Sequence, residues 1–347
     1  MPNDAVIVAM SGGVDSSVAA WLLREAGCAV RGVFLRMSGD GPSPDAAILA
    51  GQQLGMELDV LDCTGRFEQV LDYFAGEYAR GRTPNPCARC NPLVKFASLV
   101  EHADSLGAAW IATGHHARIA CVEGRPAILR GRYRPKDQSY VLFDLARTML
   151  ARLRLPIGEM ADKAEVRRLA GRLGLSAAQR ADSQDICFLP HGNYASVLMQ
   201  RAPQALRPGL IVDADGRELG RHEGVGHFTV GQRRGLRVAM GVPMHVIGID
   251  AASATVIIGP RQATLSRRLT AGAANWHADE PAGPLRAEVQ IRYNHAAVPA
   301  EVRPLGEGRF EAVFDEPVHA VAPGQVAAVY DGDRLLGGGW IEQAWEV

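Results

Sequence analysis

The chain has 347 residues, of which 47% are hydrophobic and 22% charged. These values are near the average for soluble globular proteins, and the length predicts two or three domains. No stretch approaches the roughly 18 uninterrupted apolar residues of a membrane helix, and no basic segment precedes an apolar one as in a secretory signal. Six cysteines are too few for a disulfide framework in so long a chain. We therefore expect a cytoplasmic protein without membrane association.

The net charge of −1 conceals an uneven distribution of charge along the chain. Residues 118–180 carry a balance of +8, whereas residues 1–117 carry −5 and residues 275–347 carry −7. Such a basic segment fits a surface for a polyanion such as RNA, and it equally fits arginine-rich helix faces that are merely solvated.

Lysine is rare in this chain, with only Lys95, Lys136 and Lys163 against 34 arginines. A coding bias toward arginine explains the ratio. The three remaining lysines are nevertheless informative, because an ammonium and a guanidinium group are not interchangeable at a site.

The first half of the sequence alternates apolar strands with amphipathic helices. Ala5–Met10 is a continuous apolar run that predicts a buried strand, and Ser16–Ala26 predicts a helix closed by Gly27. The further predicted elements are strands at Ala29–Arg36 and Trp110–Thr113 and helices at Asp45–Leu54, Phe67–Ala79 and Leu93–Leu106. This alternation predicts an α/β fold with a doubly wound parallel sheet, which binds ligands at the carboxyl ends of its strands.

Turns become frequent after about residue 200, and the runs between them are short and strand-like. From Thr270 onward, apolar and polar residues alternate, which is typical of a small antiparallel barrel or sandwich. We predict three domains: an α/β domain at residues 1–200, a small central domain at 201–264 and a C-terminal antiparallel β-barrel at 265–347.

The most specific motif is Ser11-Gly12-Gly13-Val14-Asp15-Ser16-Ser17, between the first strand and the first helix. Two glycines allow a sharp turn that directs successive N–H groups at an anion, and the helix adds its positive dipole end. No lysine follows the glycines, so this is not the loop of ordinary nucleotide triphosphatases. The string resembles the loop of the ATP-pyrophosphatase superfamily, whose members adenylate an oxygen of their substrate and release pyrophosphate.

Two further motifs are each centred on a cysteine. The stretch Arg82–Asn91 (RTPNPCARCN) is stiffened by two prolines, and Cys90 precedes a predicted helix whose N-terminus would favour its thiolate. The second motif is Asp182–Pro190 (DSQDICFLP). A catalytic pair formed by Cys90 and Cys187 is one interpretation. A zinc site on Cys87, Cys90, Cys187 and His191 is another, and inert buried cysteines are a third.

The chain resembles the bacterial tRNA-specific 2-thiouridylases. The matching segments occur in order over nearly the whole chain: Met10–Ser17, Thr83–Phe96, Thr113–Ala117, Lys136–Tyr140, Ser183–Phe188, Phe228–Leu236, Ile291–Tyr293 and Pro323–Gln325. The layout of this family, a nucleotide domain followed by a small central domain and a β-barrel, agrees with the boundaries predicted above.

The resemblance implies an ATP-dependent sulfurtransferase that puts sulfur at C2 of the wobble uridine of certain tRNAs. ATP, with Mg²⁺, would adenylate the C2 oxygen. Cys187 would carry a persulfide delivered by a sulfur-relay protein or a cysteine desulfurase. Its sulfur would attack C2, or Cys90 would release it as hydrosulfide, and either route ends in a Cys90–Cys187 disulfide.

The resemblance also assigns binding residues. The ATP positions would be Ala9, Met10, Ser11, Gly12, Gly13, Val14, Asp15, Ser16, Leu35 and Gly114. The target base would meet Asn85, Pro86 and Cys87, while tRNA would meet His115, Lys136, Asp137, Gln138, Arg292, Tyr293 and Gln325. Without the resemblance, His115 could be an ordinary partly exposed histidine and Lys136–Gln138 a solvated turn.

The sequence departs from the family pattern at two places. Many relatives have aspartate where this chain has Cys87, so a third thiol accompanies the pair. It could form an idle disulfide with Cys90, or complete an iron–sulfur site on Cys87, Cys90 and Cys187. The segment Ser38–Ala47 is also shorter than in most relatives, which affects contacts at the nucleotide rim.

Two other functions remain open from the residues alone. A small-molecule amidating synthetase of the same superfamily would have no use for two cysteine motifs or a basic segment. A tRNA-binding protein without catalysis would not need the intact glycine loop and both cysteines.

Overall fold

The computed structural model describes residues 4–39, 41–179, 187–188, 194–238 and 240–346. These residues form two compact units, and each unit is built from three separate segments of the chain. The first unit comprises the described residues within 1–68, 87–191 and 332–336, and the second those within 69–86, 192–331 and 337–347. None of the helices in the described ranges has the length and hydropathy of a bilayer-spanning segment.

A five-stranded parallel sheet forms the first unit, in the order β3-β2-β1-β4-β7. Its strands are β1 Ala5–Ala9, β2 Ala29–Arg36, β3 Leu58–Asp62, β4 Trp110–Ala112 and β7 Leu153–Arg154. The order reverses direction between β1 and β4, and such a switch point opens a crevice at the carboxyl ends of the two strands. The predicted doubly wound α/β fold is confirmed.

Helices α1 Val14–Glu25, α2 Asp45–Gln53, α5 Ala97–Ser105 and α7 Lys163–Arg172 pack on this sheet, and its central strand β1 is buried and apolar. The chain also forms α3 Thr64–Ala79, α4 Pro86–Cys90 and α6 Arg147–Leu150. In α1, Val18, Ala19 and Leu23 turn inward against β1 and pack with Val8, as their helical spacing requires.

The predicted helix Leu93–Leu106 is not a single α-helix. Residues Asn91–Phe96 form a π-helical turn between α4 and α5. Pro92 lies in its first turn and has no N–H to donate, so the regular hydrogen-bond ladder is interrupted there. The chain therefore continues in a helical direction through Cys90 instead of beginning a new helix after it.

The second unit contains α8 Ala195–Arg201 and two sheets in which most neighbouring strands are antiparallel. Its central sheet has the order β10-β11-β8-β9, with β8 Gly209–Val212, β9 Glu218–His222, β10 Met244–Asp250 and β11 Thr255–Pro260. A cluster of apolar side chains that includes Ile211, Phe228 and Val246 fills this region.

The C-terminal strands form a closed antiparallel barrel, as predicted. They are β12 Leu265–Trp276, β13 Leu285–Gln290, β14 Val298–Gly306, β15 Arg309–His319, β16 Val326–Asp331 and β17 Arg334–Glu346. The order is β12-β15-β14-β13-β16-β17, and β12 pairs again with β17 to close it.

A hairpin of the first unit, which the sequence analysis did not anticipate, pairs with the start of β17. It consists of β5 Ala117–Val122 and β6 Arg125–Arg130. Arg334, which groups with the first unit, pairs with Leu129 of β6. The two predicted boundaries between the three domains stay predictions.

Candidate active site

The loop after β1 is fixed by its own hydrogen bonds. Gly12 has φ +75°, and a Cβ there would lie 2.5 Å from the Cβ of Ala46, so only glycine fits. The hydroxyls of Ser16 and Ser17 donate to the carbonyl of Gly13 at 3.1 and 2.9 Å. Because α1 begins immediately after, its N-terminal N–H groups and positive dipole end suit a phosphate group at this loop.

The sheet brings the other predicted ATP positions to the same edge. A Cβ on Gly114, just after β4, would lie 2.7 Å from the backbone nitrogen of Ser16, so these two backbone segments are in contact. Leu35 lies near the carboxyl end of β2, the strand beside β1. Residues Ala9–Ser16, Leu35 and Gly114 therefore all lie around the carboxyl ends of adjacent strands.

Asp15 is held by two basic side chains of the first unit. The Lys163 ammonium donates to both carboxylate oxygens at 2.6 Å, and His116 Nε2 lies 3.4 Å from Oδ1. Burial opposes the ionisation of Asp15, but the interactions with His116 and Lys163 outweigh it and lower the carboxyl pKa. Asp15 is thus a carboxylate whose charge is balanced before any ligand binds.

Sequence reasoning did not assign a role to Lys163, and its position follows from local structure. Asp162 is the N-cap of α7 and accepts from the N–H of Glu165 at 2.5 Å, while Glu165 accepts from the N–H of Ala161 at 2.9 Å. This reciprocal capping fixes the helix start and places Lys163 at its first residue. The rarity of lysine in the chain was the available signal.

His115 lies in the first unit beside the π-helical turn. Its Nδ1 is 2.7 Å from Thr113 Oγ1, and its ring stacks on Phe96 at a centroid distance of 5.8 Å. Burial, together with the positive charge of Lys95, lowers the pKa of His115 to about 3. The ring is therefore neutral at pH 7, so it offers hydrogen bonding and stacking but no positive charge.

Three thiols of the first unit share one electrostatic environment. Cys90 is buried, whereas Cys87 and Cys187 reach the surface, and all six cysteines are free thiols. The pKa of Cys90 is raised to about 12, mainly by burial; Lys95 opposes this rise, and the Cys187 and Cys87 thiols add to it. Protein atoms crowded around Cys87 likewise raise its pKa although its side chain reaches the surface.

The expected stabilisation of the Cys90 thiolate by a helix N-terminus is not found. Cys90 is the last residue of α4 and continues into the π-helical turn, so no helix N-terminus faces it. The positive charge that reaches this thiol belongs to Lys95. Burial lowers the pKa of Lys95, but Cys90, Cys87 and Cys187 outweigh burial and raise it. Within the described part of the chain, Lys95 makes no ion pair with a carboxylate.

The segment of Cys187 is described only at Cys187 and Phe188. The ring of Phe188 meets that of Phe67, at the start of α3, edge to face with centroids 5.3 Å apart. The rest of this motif, including His191 of the zinc interpretation, lies outside the described residues. Among those that are described, no group of three or more His, Cys, Asp or Glu side chains is arranged to hold a metal ion.

The predicted tRNA residues Asp137 and Gln138 hold their loop in shape. Asp137 accepts from the N–H of Gly131 at 2.9 Å, from the Ser139 hydroxyl at 2.8 Å and from Arg130 at 3.1 Å. Gln138 Oε1 accepts from the N–H of His116 at 2.9 Å. These bonds occupy the Asp137 carboxylate and fix the half-buried Lys136 beside it.

In the second unit, Gln325 is joined to the proline-rich loop that contains Asn85 and Pro86. Its side-chain amide donates to the carbonyls of Thr83 and Pro84 at 3.1 and 2.9 Å. Asn85 is buried, and its N–H donates to the Tyr73 hydroxyl at 3.3 Å. The structure therefore brings the predicted residues Gln325 and Asn85 into one bonded region.

Arg292 and Tyr293 are exposed at the end of β13. The buried side chain of Gln290 donates to the carbonyls of both residues, at 3.1 and 2.9 Å. The loop is therefore held by its backbone, and the two side chains face solvent.

Several arginines of the basic segment 118–180 form ion pairs within the first unit. Arg118 and Arg134 both bind Asp333. Three further pairs are Arg130–Asp137, Arg132–Glu159 and Arg152–Asp104. On α7, Arg168 and Arg172 are exposed and one helical turn apart, and neither forms an ion pair with a described residue.

Comparison with known proteins identifies the family. A family model described as tRNA methyl transferase HUP domain matches residues 4–191. Models described as tRNA methyl transferase PRC-barrel domain and aminomethyltransferase beta-barrel domain match residues 195–260 and 266–341. The tRNA-specific 2-thiouridylase MnmA of Syntrophotalea carbinolica is 47% identical, over 98% of this chain and 99% of the relative. The chain belongs to the tRNA-specific 2-thiouridylase family.

A second 2-thiouridylase, from Geotalea uraniireducens, is 43% identical over 98% of this chain and 95% of its own. The models' descriptions name methyl transfer, but relatives that match along the whole chain are named thiouridylases, so this 2-thiouridylase family member is a tRNA sulfurtransferase. A solved 4-thiouridine synthetase in complex with RNA and with bound ATP is 17% identical, covers 58% of this chain and 51% of that one, and has a TM-score of 0.36. This TM-score is too low to support a comparison of structure or function.

Proposed function

We propose that this tRNA sulfurtransferase uses ATP to adenylate the C2 oxygen of the wobble uridine and then replaces that oxygen with persulfide sulfur. One observation carries the proposal. The first unit contains both a loop that is braced by its own hydrogen bonds and suited to phosphate, and three thiols that interact electrostatically with the half-buried Lys95. Adenylation needs the loop, and sulfur transfer needs the thiols.

In the first step, the C2 oxygen of uridine attacks the α-phosphorus of ATP, and the bond to the β-phosphate breaks to release pyrophosphate. The N–H groups around Gly12 and Gly13 would hold the β- and γ-phosphates. Preorganised donors of this kind stabilise charge that develops on a leaving group. The C2 oxygen then departs with AMP, so a poor leaving group has become a good one.

In the second step, the terminal sulfur of a Cys187 persulfide attacks C2 and displaces AMP. The Cys90 thiolate next attacks the Cys187 sulfur, which forms a Cys90–Cys187 disulfide and leaves the thiolated base. In the alternative order, Cys90 attacks first and releases hydrosulfide, which attacks C2. Both orders end in one disulfide, and an external dithiol must supply two electrons to reduce it. Lys95 would stabilise the anionic sulfur at each stage.

Mg²⁺ fits this site through few protein ligands. This ion keeps several waters and binds through one or two carboxylates together with substrate phosphates, and Asp15 is the carboxylate at the loop. When bound, the ion would neutralise phosphate charge. Because both Asp15 oxygens already accept from Lys163, Asp15 would bind Mg²⁺ only by sharing its oxygens with that lysine.

An iron–sulfur cluster on Cys87, Cys90 and Cys187 is a poorer fit. All three thiols lie within the described residues, yet they do not converge as a metal-binding group there. In this proposal Cys87, with Asn85 and Pro86, lines the space for the target base, which is flipped out of its loop to be reached.

The remaining assignments concern the partners. His115, Lys136, Asp137, Gln138, Arg292, Tyr293 and Gln325 would meet or position tRNA. Asp137 and Gln325 would do so by holding loops, since their polar atoms are engaged with the backbone. A sulfur-relay protein or a cysteine desulfurase would load Cys187.

The test is incubation of the protein with tRNA, ATP, a dithiol and a cysteine desulfurase with cysteine as the source of persulfide sulfur, followed by mass spectrometry of the tRNA nucleosides. We expect 2-thiouridine, with AMP and pyrophosphate formed in a Mg²⁺-dependent reaction. Detection of ADP and phosphate instead would rule out adenylation. A gain of sulfur without any use of ATP would contradict the first step.

A further inference from the structure

The second unit carries a cluster of basic side chains, of which the assignments above use only Arg292. Three exposed arginines and three half-buried histidines come from five separated segments: Arg233, Arg261, Arg292, His245, His295 and His319. We propose that this cluster, termed here the arginine–histidine surface, binds backbone phosphates of the tRNA. The proposal rests on the tRNA substrate of the family and extends its contact area beyond Arg292 and Tyr293.

Backbone hydrogen bonds join the segments that carry the cluster. The carbonyl of Val246 accepts from the N–H of Gly231 at 2.7 Å, and the N–H of Val246 donates to the carbonyl of Gln232 at 2.9 Å. These bonds place Arg233, the next residue after Gln232, near His245. The turn itself is closed by the Gln232 side chain, which accepts from the N–H of Thr229 at 3.0 Å.

A second set of contacts attaches the barrel to the same place. The Thr264 hydroxyl lies 3.0 Å from Nδ1 of His319, and the carbonyl of Thr264 accepts from the N–H of Ala320 at 2.9 Å. Thr264 ends the short helical turn that begins at Arg261. Gly231 lies directly against Ala320, because a Cβ on Gly231 would be 2.2 Å from the Cβ of Ala320.

The lowered pKa values of His245 and His319 reflect burial and the positive charge of neighbouring arginines. Burial lowers the pKa of His245, and Arg233 and Arg261 lower it further. Burial also lowers the pKa of His319, with additional lowering by Arg261, His245, Arg292 and His295. Among the described residues, no carboxylate acts on either ring in the opposite direction. In the described ranges, Arg233, Arg261 and Arg292 form no ion pair.

This positive charge has a physical consequence. Like charges that face one another without a counter-charge repel, and a bound polyanion relieves that repulsion while releasing its own counterions. Guanidinium groups also match phosphate geometry. Among the available anions, tRNA phosphates fit best, because the surface includes Arg292, and the next residue, Tyr293, has an exposed aromatic ring suited to RNA.

The experiment is a titration of tRNA by fluorescence anisotropy at several salt concentrations, with no ATP or sulfur donor present. We compare the parent with Arg233→Gln/Arg261→Gln. The matched control is Arg217→Gln/Arg221→Gln, which removes the same charge from exposed positions around β9 of the same unit. If each arginine of the cluster neutralises one phosphate, the slope of log affinity against log salt decreases by about 2, and Kd rises roughly tenfold. The control should keep the parent slope.

An unchanged slope in the Arg233/Arg261 variant overturns the proposal, and this includes the case in which the surface serves an acidic protein instead. An equal loss in the control variant also overturns it, because the effect would then be one of net charge. Circular dichroism confirms that the variants are folded. Since the titration needs no chemistry, failure of the adenylation proposal would leave its result readable.

Discussion

The nucleotide loop and the thiol region lie in the same unit but differ in how their charges are balanced. At the loop, Asp15 already has Lys163 and His116 as partners. At the thiols, Lys95 is half-buried, its pKa is raised by Cys90, Cys87 and Cys187, and it makes no ion pair with a carboxylate among the described residues. The charge of Asp15 is thus balanced within the protein, whereas that of Lys95 is not. Under the proposed mechanism, the loop serves binding and the charge of Lys95 serves the anionic sulfur.

The largest effect is expected at the thiols. Cys90→Ala and Cys187→Ala should each abolish thiolation while leaving tRNA and ATP binding intact, because each cysteine has its own step. Cys87→Asp should keep a rate near that of the parent, since many relatives carry aspartate there. Nucleoside mass spectrometry measures all three variants.

The same series separates the metal alternatives. If the three thiols ligate a cluster or zinc, Cys87→Ala should be as damaging as the other two, and anaerobically purified protein should carry stoichiometric iron or zinc. The persulfide route further requires the Cα atoms of Cys90 and Cys187 to come within about 4.4–6.8 Å. A tRNA- and nucleotide-bound structure that holds them rigidly farther apart would falsify it.

Removal of the Lys95 charge should come next in size. Lys95→Met should lower single-turnover thiolation about 100-fold, the cost of losing one electrostatic donor in a buried site. Because Lys95 lowers the pKa of Cys90, and the thiolate is the nucleophile, the rise of the rate with pH should also move to higher pH in this variant. Lys95→Arg, which keeps the charge, is the control and should restore part of the rate. If Lys95→Met left the pH profile in place, Lys95 would have no electrostatic role.

At the loop, the expected effect is smaller. Lys163→Met should leave Asp15 as an unbalanced anion, raise the KM for ATP about tenfold, a change worth about 1.4 kcal/mol, and destabilise the protein by about 1–3 kcal/mol. Adding Asp15→Asn should restore ATP affinity if repulsion by Asp15 is the cause. If affinity stays low in the double variant, Lys163 contacts the phosphates itself.

The stability measurement has a defined pH dependence. Since the folded-state pKa of Asp15 lies below its ordinary value of 3.8, its stabilisation is fully present above about pH 3.8. It is lost as the pH falls through the lower, folded-state value. Urea unfolding at pH 7 should therefore show the full difference between parent and Lys163→Met.

The smallest effect tests whether the balance of charge extends to RNA binding. Arg168→Glu/Arg172→Glu on α7 should weaken tRNA binding several-fold and flatten its salt dependence, because these exposed arginines have no described counter-charge. Arg132→Glu, at a residue already paired with Glu159, should have less effect per charge. Equal effects at paired and unpaired arginines would break the comparison, and a salt-independent affinity would mean that the basic segment is only a solvated face.

Local patterns allowed much of this fold to be predicted. The buried strand β1, the glycine turn and α1 follow from neighbouring residues, so the predicted and observed limits differ by at most two residues. The π-helical turn could not be predicted from the sequence. A proline such as Pro92 can end a helix or lie within a distorted one, and tertiary packing determines which of the two occurs. The Asp15–Lys163 pair could not be predicted either, because its two residues are 148 positions apart in the sequence and no short motif indicates such a contact.

The scarcity of lysine makes this protein unusually suited to chemical footprinting. An amine-acylating reagent has only three side chains to modify, and each lies at a different place: Lys163 at the nucleotide loop, Lys95 among the thiols and Lys136 on the loop fixed by Asp137. Peptide mass spectra would therefore contain three separate signals. Each signal would report protection by a different ligand, without mutation or added label.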